Sequence, residues 1–382
     1  MSITSRRIFC SAGALLALTR VAGAASQTKQ APPGPVAIGA LLPLSGAGSL
    51  TGDECLRGIQ LAVDDINADG GVAHRAVSFS AGDALSQDAA QGAAKALIDG
   101  AHLAVLLGSG SSALSYPVSA AAELAQIPYI ELNAPADGIT GRGFKFLLRS
   151  CATTSMIAAV ATGAIAARYK GKKIGLLFNT GATAGAIAAA ALAAWQGQKI
   201  TPLLVAGYPE DEPDLHEPVG RLRRAGVEIL LHAAGEDDVL QAFQAMRDIG
   251  WTPAAVVGCG EGYGLRETAF ALGGALDGTL VAAAPFYPPR AAYLTAAYQA
   301  RYGMAPRSAD SLTAYVGAKL VLDFWGQAGG DAGKLLNLLR KADIPAGTLA
   351  NGWGVQFDKS GQNTRGFAAL QQWQGQALVS VA

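Results

Sequence analysis

Residues 36–71 read VAIGALLPLSGAGSLTGDECLRGIQLAVDDINADGG. Val36 to Pro43 form an apolar run closed by proline, the mark of a short buried strand. Ser45 to Gly48 follow as a loop, and Asp53 stands where it could cap a helix. Along that helix Leu56, Ile59, Val63 and Ile66 recur at helical spacing and define one apolar face. Asn67 to Gly71 then supply the Asn and Gly that end helices in the left-handed region.

The same alternation continues downstream. Strands are expected at Val77–Ala81, Leu103–Leu107, Pro128–Leu132, Lys173–Phe178, Pro202–Ala206, Val227–His232, Ala254–Gly258 and Val281–Ala284. Between them Gln87–Asp99, Leu114–Ala125, Ser155–Tyr169, Ala184–Trp195 and Asp238–Ile249 read as helices. A long run of strand then helix implies α/β architecture, with parallel sheets covered by helices on both faces. The C-terminal part departs from the rhythm. Arg290–Tyr302 and Ser311–Ala328 read as helices, and Trp353–Asp358 with Phe367–Trp373 as a late antiparallel pair around Lys359-Ser360-Gly361.

Composition bounds the function. The 382 residues are 51% hydrophobic and 15% charged, with 29 basic and 29 acidic side chains. Disorder needs the opposite balance, and a nucleic-acid binder needs a basic excess. The first 24 residues read as an export signal: Arg6 and Arg7, a short apolar stretch from Ile8 to Thr19, and an A-x-A site at Ala22-Gly23-Ala24. Ser5-Arg6-Arg7-Ile8-Phe9 resembles the twin-arginine motif, with the general secretory route as the alternative. Cleavage near Ala24 removes three arginines and no acid, leaving a slightly acidic periplasmic chain. A linker spans 25–35, and no later apolar run is long enough to cross a bilayer. Cys10 precedes the cleavage site, so it is no lipid anchor. Cys55, Cys151 and Cys259 lie far apart without C-x-x-C spacing, which allows one disulfide at most or three buried thiols.

The catalytic motifs are mostly missing. His74, His102, His216 and His232 make no H-E-x-x-H and no close pair, so no metal is expected. The loop 108–112 (GSGSS) fails the G-x-S-x-G pattern, because Leu114 stands at its last position of interest, and there is no Walker loop. Gly108, Gly110 and Ala113 do follow a strand and open a helix, with Glu131 ending the next strand. That context permits a dinucleotide fingerprint and hence an exported NAD(P)-dependent oxidoreductase. The competing reading is a cradle for a carboxylate, made by N–H groups at a helix N-terminus with the Ser111 and Ser112 hydroxyls. The acidic run 210–214 reads as a solvated loop.

The motifs Ile38–Gly46, Gly52, Gly58, Ala62–Gly71, Leu107–Ser112, Ile127–Ile130 and Phe146–Ser150 together resemble the type I periplasmic substrate-binding proteins of ABC importers, specifically the leucine/isoleucine/valine-binding family. The match is specific over 36–152 and weaker beyond. It implies a two-lobed periplasmic-binding-protein-like I fold with the ligand cleft between lobes. Lobe 1 would comprise 36–152 plus 284–350, and lobe 2 153–283 plus 351–382. It further implies that Ser111 and Ser112 hold the ligand's carboxylate or polar end, with Thr51 at the cleft mouth and Asn133 and Ala134 in a backbone-contact loop. Thr183, Gly235, Glu261 and Tyr263 would close from the second lobe, and Tyr315 would form a wall. Pro135, Glu131, Thr183 and Gly235 depart from the amino-acid binders, so an amide or small carboxylate is as admissible a ligand as a branched-chain amino acid. The expectation is a monomer without cofactor that serves a membrane permease. A ligand-sensing module of the same fold is the alternative.

Overall fold

The computed structural model describes residues 34–381; the export signal and most of the linker lie outside the described residues. Strand β1 (Val36–Leu42) leads into helix α1 (Ser49–Ala68), then β2 (Val77–Asp83), α2 (Gln87–Ala101), β3 (Val105–Leu107), α3 (Ser112–Ala125), β4 (Tyr129–Glu131) and β5 (Leu147–Arg149). These strands form one sheet in the order β2-β1-β3-β4-β5, parallel throughout. The second series runs α4 (Thr154–Arg168), β6 (Ile174–Asn179), α5 (Ala182–Gly197), β7 (Leu204–Tyr208), α6 (His216–Ala225), β8 (Ile229–Ala233), α7 (Glu236–Asp248), β9 (Ala255–Cys259), α8 (Glu261–Gly264), α9 (Arg266–Ala271) and β10 (Leu280–Ala283). Helices α10 (Ala292–Tyr302), α11 (Asp310–Ala328) and α12 (Ala332–Arg340) follow, and then β11 (Ala369–Gln374) and β12 (Ala377–Ser380). The second sheet is ordered β12-β11-β10-β9-β8-β6-β7, with β11 and β12 antiparallel.

Each sheet is covered on both faces, as the apolar strands require. On the first, α2 and α3 bury Ala90, Ala94, Leu114 and Val118 against one face. The other face packs on α1 and on the late helices α10 to α12, through Ile59, Leu294, Leu312 and Leu339. On the second sheet Ala161, Ile165, Ile187 and Trp195 of α4 and α5 fill one side, and Val219, Val239 and Trp373 the other.

Several elements differ from the sequence expectation. Helix α1 starts at Ser49, after Gly48 in the left-handed conformation (φ 81), so Asp53 lies inside it. There the Asp53 carboxylate pairs with Arg57 at 2.8 Å and with Arg307, which occupies the side chain that was to cap. The expected antiparallel turn around Lys359-Ser360-Gly361 is present, but residues 354–358 pair there with 362–365 rather than with 367–373, which instead join a separate hairpin of β11 and β12 across Gly375 (φ 62). Residues 353–363 lie against the first sheet instead: Val355 and Phe357 enter its core, and Arg149 donates to Gln362 Oε1 at 2.5 Å. Helices α6, α8, α9 and α12 were not expected, and α6 shows why. It buries only Pro218, Val219, Gly220 and Leu222.

Candidate functional site

The two sheets present their strand ends to a shared cavity of about 90 Å³. Gly110, Asn133, Pro135, Asp310 and Thr313 line it from the first lobe, and Thr183, Ile187 and Glu261 from the second. Cys151 and Trp353 close it where the chain passes between lobes. A wider opening beyond is bounded by the 45–50 loop, Ser111, Glu210, Gly235, Glu236, Asp238 and Glu261.

Glu131 builds the first-lobe wall. It is fully buried at the end of β4. Its Oε2 accepts from Ser109 N (3.2 Å), Ser109 Oγ (3.1 Å), Ser115 Oγ (2.6 Å) and Tyr129 OH (2.6 Å). Its Oε1 accepts from the N–H groups of Leu132 (2.9 Å), Asn133 (3.0 Å) and Ala134 (3.0 Å). One carboxylate therefore fixes both cleft loops, 108–112 and 132–134. Gly108 must be glycine for this: a Cβ there would stand 2.4 Å from Glu131 Oε1. The same geometry removes the dinucleotide reading. The acid that would hold a ribose is turned inward and saturated with donors.

The second-lobe wall rests on buried polar contacts. Asp238, in the first turn of α7, accepts from Gly235 N at 2.7 Å and Asn179 Nδ2 at 2.5 Å. Behind it the His232 ring bridges Tyr208 OH and Tyr263 OH, each at 2.8 Å. Burial pushes His232 down to about 3, so the ring is neutral, with one nitrogen donating and one accepting.

A contact spans the mouth. Thr51 donates to Glu236 Oε1 from its backbone N (3.3 Å) and its hydroxyl (3.0 Å), joining α1 of one lobe to α7 of the other. Burial raises the Glu236 carboxyl, against the lowering effect of these bonds. Glu261 is raised to about 8, first by burial and then by Asp310, Glu236, Glu210 and Asp238. Asp310 is raised by burial, opposed by hydrogen bonds from Ser308 and Asn133.

Of the residues singled out from sequence, Asn133, Thr183 and Glu261 line the central cavity. Ser111 and Gly235 line the outer opening. Thr51 is buried in the mouth contact just described. The others lie elsewhere. Ser112 is fully buried, its Oγ accepting from Ala136 N at 3.2 Å, so it braces a neighbouring loop. The Ala134 N–H is consumed by Glu131, and its carbonyl accepts from Arg149 Nη1 at 3.4 Å. Tyr263 is buried in the second-lobe core, because its hydroxyl finds a partner in His232. Tyr315 is in the first-lobe core, donating to Asp65 Oδ2 at 2.6 Å. Asp310, Thr313 and Glu236 were not foreseen. An acid opening a helix reads as dipole compensation, and a lone Thr carries no signal. Cys55, Cys151 and Cys259 are buried free thiols. Among the described residues, no group of three or more His, Cys, Asp or Glu could hold a metal ion. Nor is any described helix long and apolar enough to cross a membrane.

Residues 35–377 match the family model described as periplasmic binding protein. The chain is 34% identical over 363 residues to the Leu/Ile/Val-binding protein homolog 8 of Brucella abortus, covering 91% of this chain and 90% of that one. It is 34% identical over 362 residues to homolog 7 of the same organism, covering 91% of both. Among solved structures it superposes on the branched-chain amino acid transporter substrate-binding protein LivJ of Streptococcus pneumoniae in complex with isoleucine. There the TM-score is 0.80 at 18% identity, over 90% of this chain and 97% of that one. It also superposes on a solute-binding protein of an ABC transporter from R. palustris in complex with benzoate. That TM-score is 0.77 at 19% identity, over 91% and 96% of the two chains.

Proposed function

The chain belongs to the periplasmic binding protein family, and from that premise we propose that it captures a small polar organic solute and delivers it to the membrane permease of an ABC importer. The carrying observation is the cavity walled by both sheets, with a hydrogen-bonded contact already made across its mouth. Closure is a hinge motion: ligand contacts from both lobes shift an open–closed equilibrium. Such a task breaks no bond and needs no nucleophile, so the protein is a carrier rather than an enzyme. It works in the periplasm as a monomer, after removal of the export signal near Ala24. The lobes of this reading are 36–152 plus 284–363 and 153–283 plus 364–382. Hydrogen bonds from Arg149 Nε to Gln362 Oε1 and from Asn363 Nδ2 to the Ser150 carbonyl support moving the last boundary to that point.

The test is thermal unfolding of the purified protein against branched-chain amino acids, short amides, aromatic and hydroxy acids, and NAD(P). A ligand at a hundred times its Kd adds about 2.7 kcal/mol to folding stability. A shift with one solute class is the expected result. A shift with NAD(P) alone would overturn the carrier reading.

A further inference from the structure

We propose that the cleft selects a solute of net positive charge, an inference that rests on the solute-capture reading and specifies its substrate. The ground is an imbalance in the cavity. Glu261 enters it from one lobe and Asp310 from the other, and among the described residues no Lys, Arg or His lines it. The outer opening continues the same sign, with Glu210, Glu236 and Asp238 at its edge and no basic residue in its lining. Arg307, close to Asp310 in sequence, is engaged elsewhere, with Asp53 and Glu267.

Unpartnered polar atoms accompany the charge. Asn133 Nδ2 donates to Asp310 Oδ1 at 3.0 Å and to the Asp310 carbonyl at 3.2 Å. Those bonds orient the amide and leave Asn133 Oδ1 buried without a partner. One turn along α11, Thr313 is 3% exposed, lines the cavity, and has an unpartnered Oγ1. Among the described residues no hydrogen bond to the Glu261 carboxyl is seen that would lower it. Buried polar atoms are ordinarily satisfied. The Asn133 oxygen needs a donor, the Thr313 hydroxyl takes either a donor or an acceptor, and the ligand is what completes both.

The opposing element is the N-terminus of α3 at Ser111 to Ala113, which offers about half a positive charge. The empty cavity keeps Glu261 protonated to about pH 8, so its ionisation is linked to the ligand: a cation that displaces this proton faces two carboxylates, against which half a charge is too little. An anion would deepen the excess, and a zwitterion would leave it unchanged. An ammonium or guanidinium group, with or without a carboxylate on α3, balances it through charge-assisted hydrogen bonds.

Isothermal titration of the purified protein with matched probes separates these cases. Isoamylamine, leucine and isovalerate share one branched body as cation, zwitterion and anion. Benzylamine and benzoate repeat the comparison on a ring, and lysine and arginine represent cationic amino acids. The expected result is that a net-cationic probe binds at least about tenfold more tightly than any neutral or anionic one, and that Asp310→Asn and Glu261→Gln each weaken it by about tenfold to a hundredfold. Should Asp310→Asn fail to fold, Glu261→Gln answers alone. Tighter binding of leucine, isovalerate or benzoate, or cation affinity unchanged in the variants, overturns the charge assignment and leaves solute capture standing. Absence of binding by every probe overturns both.

Discussion

Glu131 is a carboxyl group with no access to water, held by seven donors from three stretches of chain. Glu131→Ala leaves those donors buried and unpaired, and is expected to destabilise the protein by about 3 kcal/mol. Urea unfolding measures this, and a loss within the range of ordinary surface substitutions would refute it. Glu261 makes a prediction of opposite character. The folded protein keeps its proton to about pH 8, whereas the unfolded chain releases it near 4.5. Between those values the folded state binds more protons, so stability falls as pH rises through the window. Urea midpoints measured at several pH values should show this slope in the unliganded protein and a shallower one in Glu261→Gln. An equal slope in both removes Glu261 as its source.

Helices α1 and α11 meet at Gly58, where a Cβ would stand 2.1 Å from the Ser311 carbonyl oxygen. Glu54, one turn earlier, is buried and accepts from Ser311 Oγ at 2.6 Å and from Tyr298 OH. Gly58→Ala must force the pair apart, with an expected cost of about 1–3 kcal/mol in thermal unfolding. Since α11 carries Asp310 and Thr313, ligand affinity should fall in the same variant; unchanged affinity would mean the helix tolerates displacement. At this scale the sequence was readable where apolar periodicity was strong. The N-terminal strands and helices followed from it within a few residues. Helix α6 was obscured by Pro218 and the acidic run before it, since only a short buried stripe betrays it. The turn at Gly361 was placed correctly, but 367–373 was assigned to it because the second Gly-containing turn, at Gly375, offered the same signal. The site was less legible. Tyr263 and Tyr315 are aromatic residues equally fit for a core, and only partners distant in sequence, His232 and Asp65, decide their place. Glu131 was noticed as a departure, but its role depends on backbone N–H directions that no spacing reveals.

Across the whole molecule, the lobes are held together at the mouth by Thr51 and Glu236. Thr51→Val deletes the hydroxyl donor and should shift the unliganded protein toward the open form. Small-angle scattering would report a larger radius of gyration without ligand and little change with it. Identical scattering curves for variant and wild type would show that closure does not depend on this contact. Each lobe is also assembled from distant parts of the chain. The first-lobe core needs α10 to α12, which follow the second sheet's first five strands in sequence. The second sheet in turn ends on β11 and β12, at the extreme C-terminus. A ribosome therefore delivers neither lobe in one piece. When β10 emerges, one of its edges stays open until Ala369–Gln374 arrive to pair with it. Until β11 and β12 emerge the nascent chain has apolar faces without their covers, and it must be shielded until then before it can close around anything.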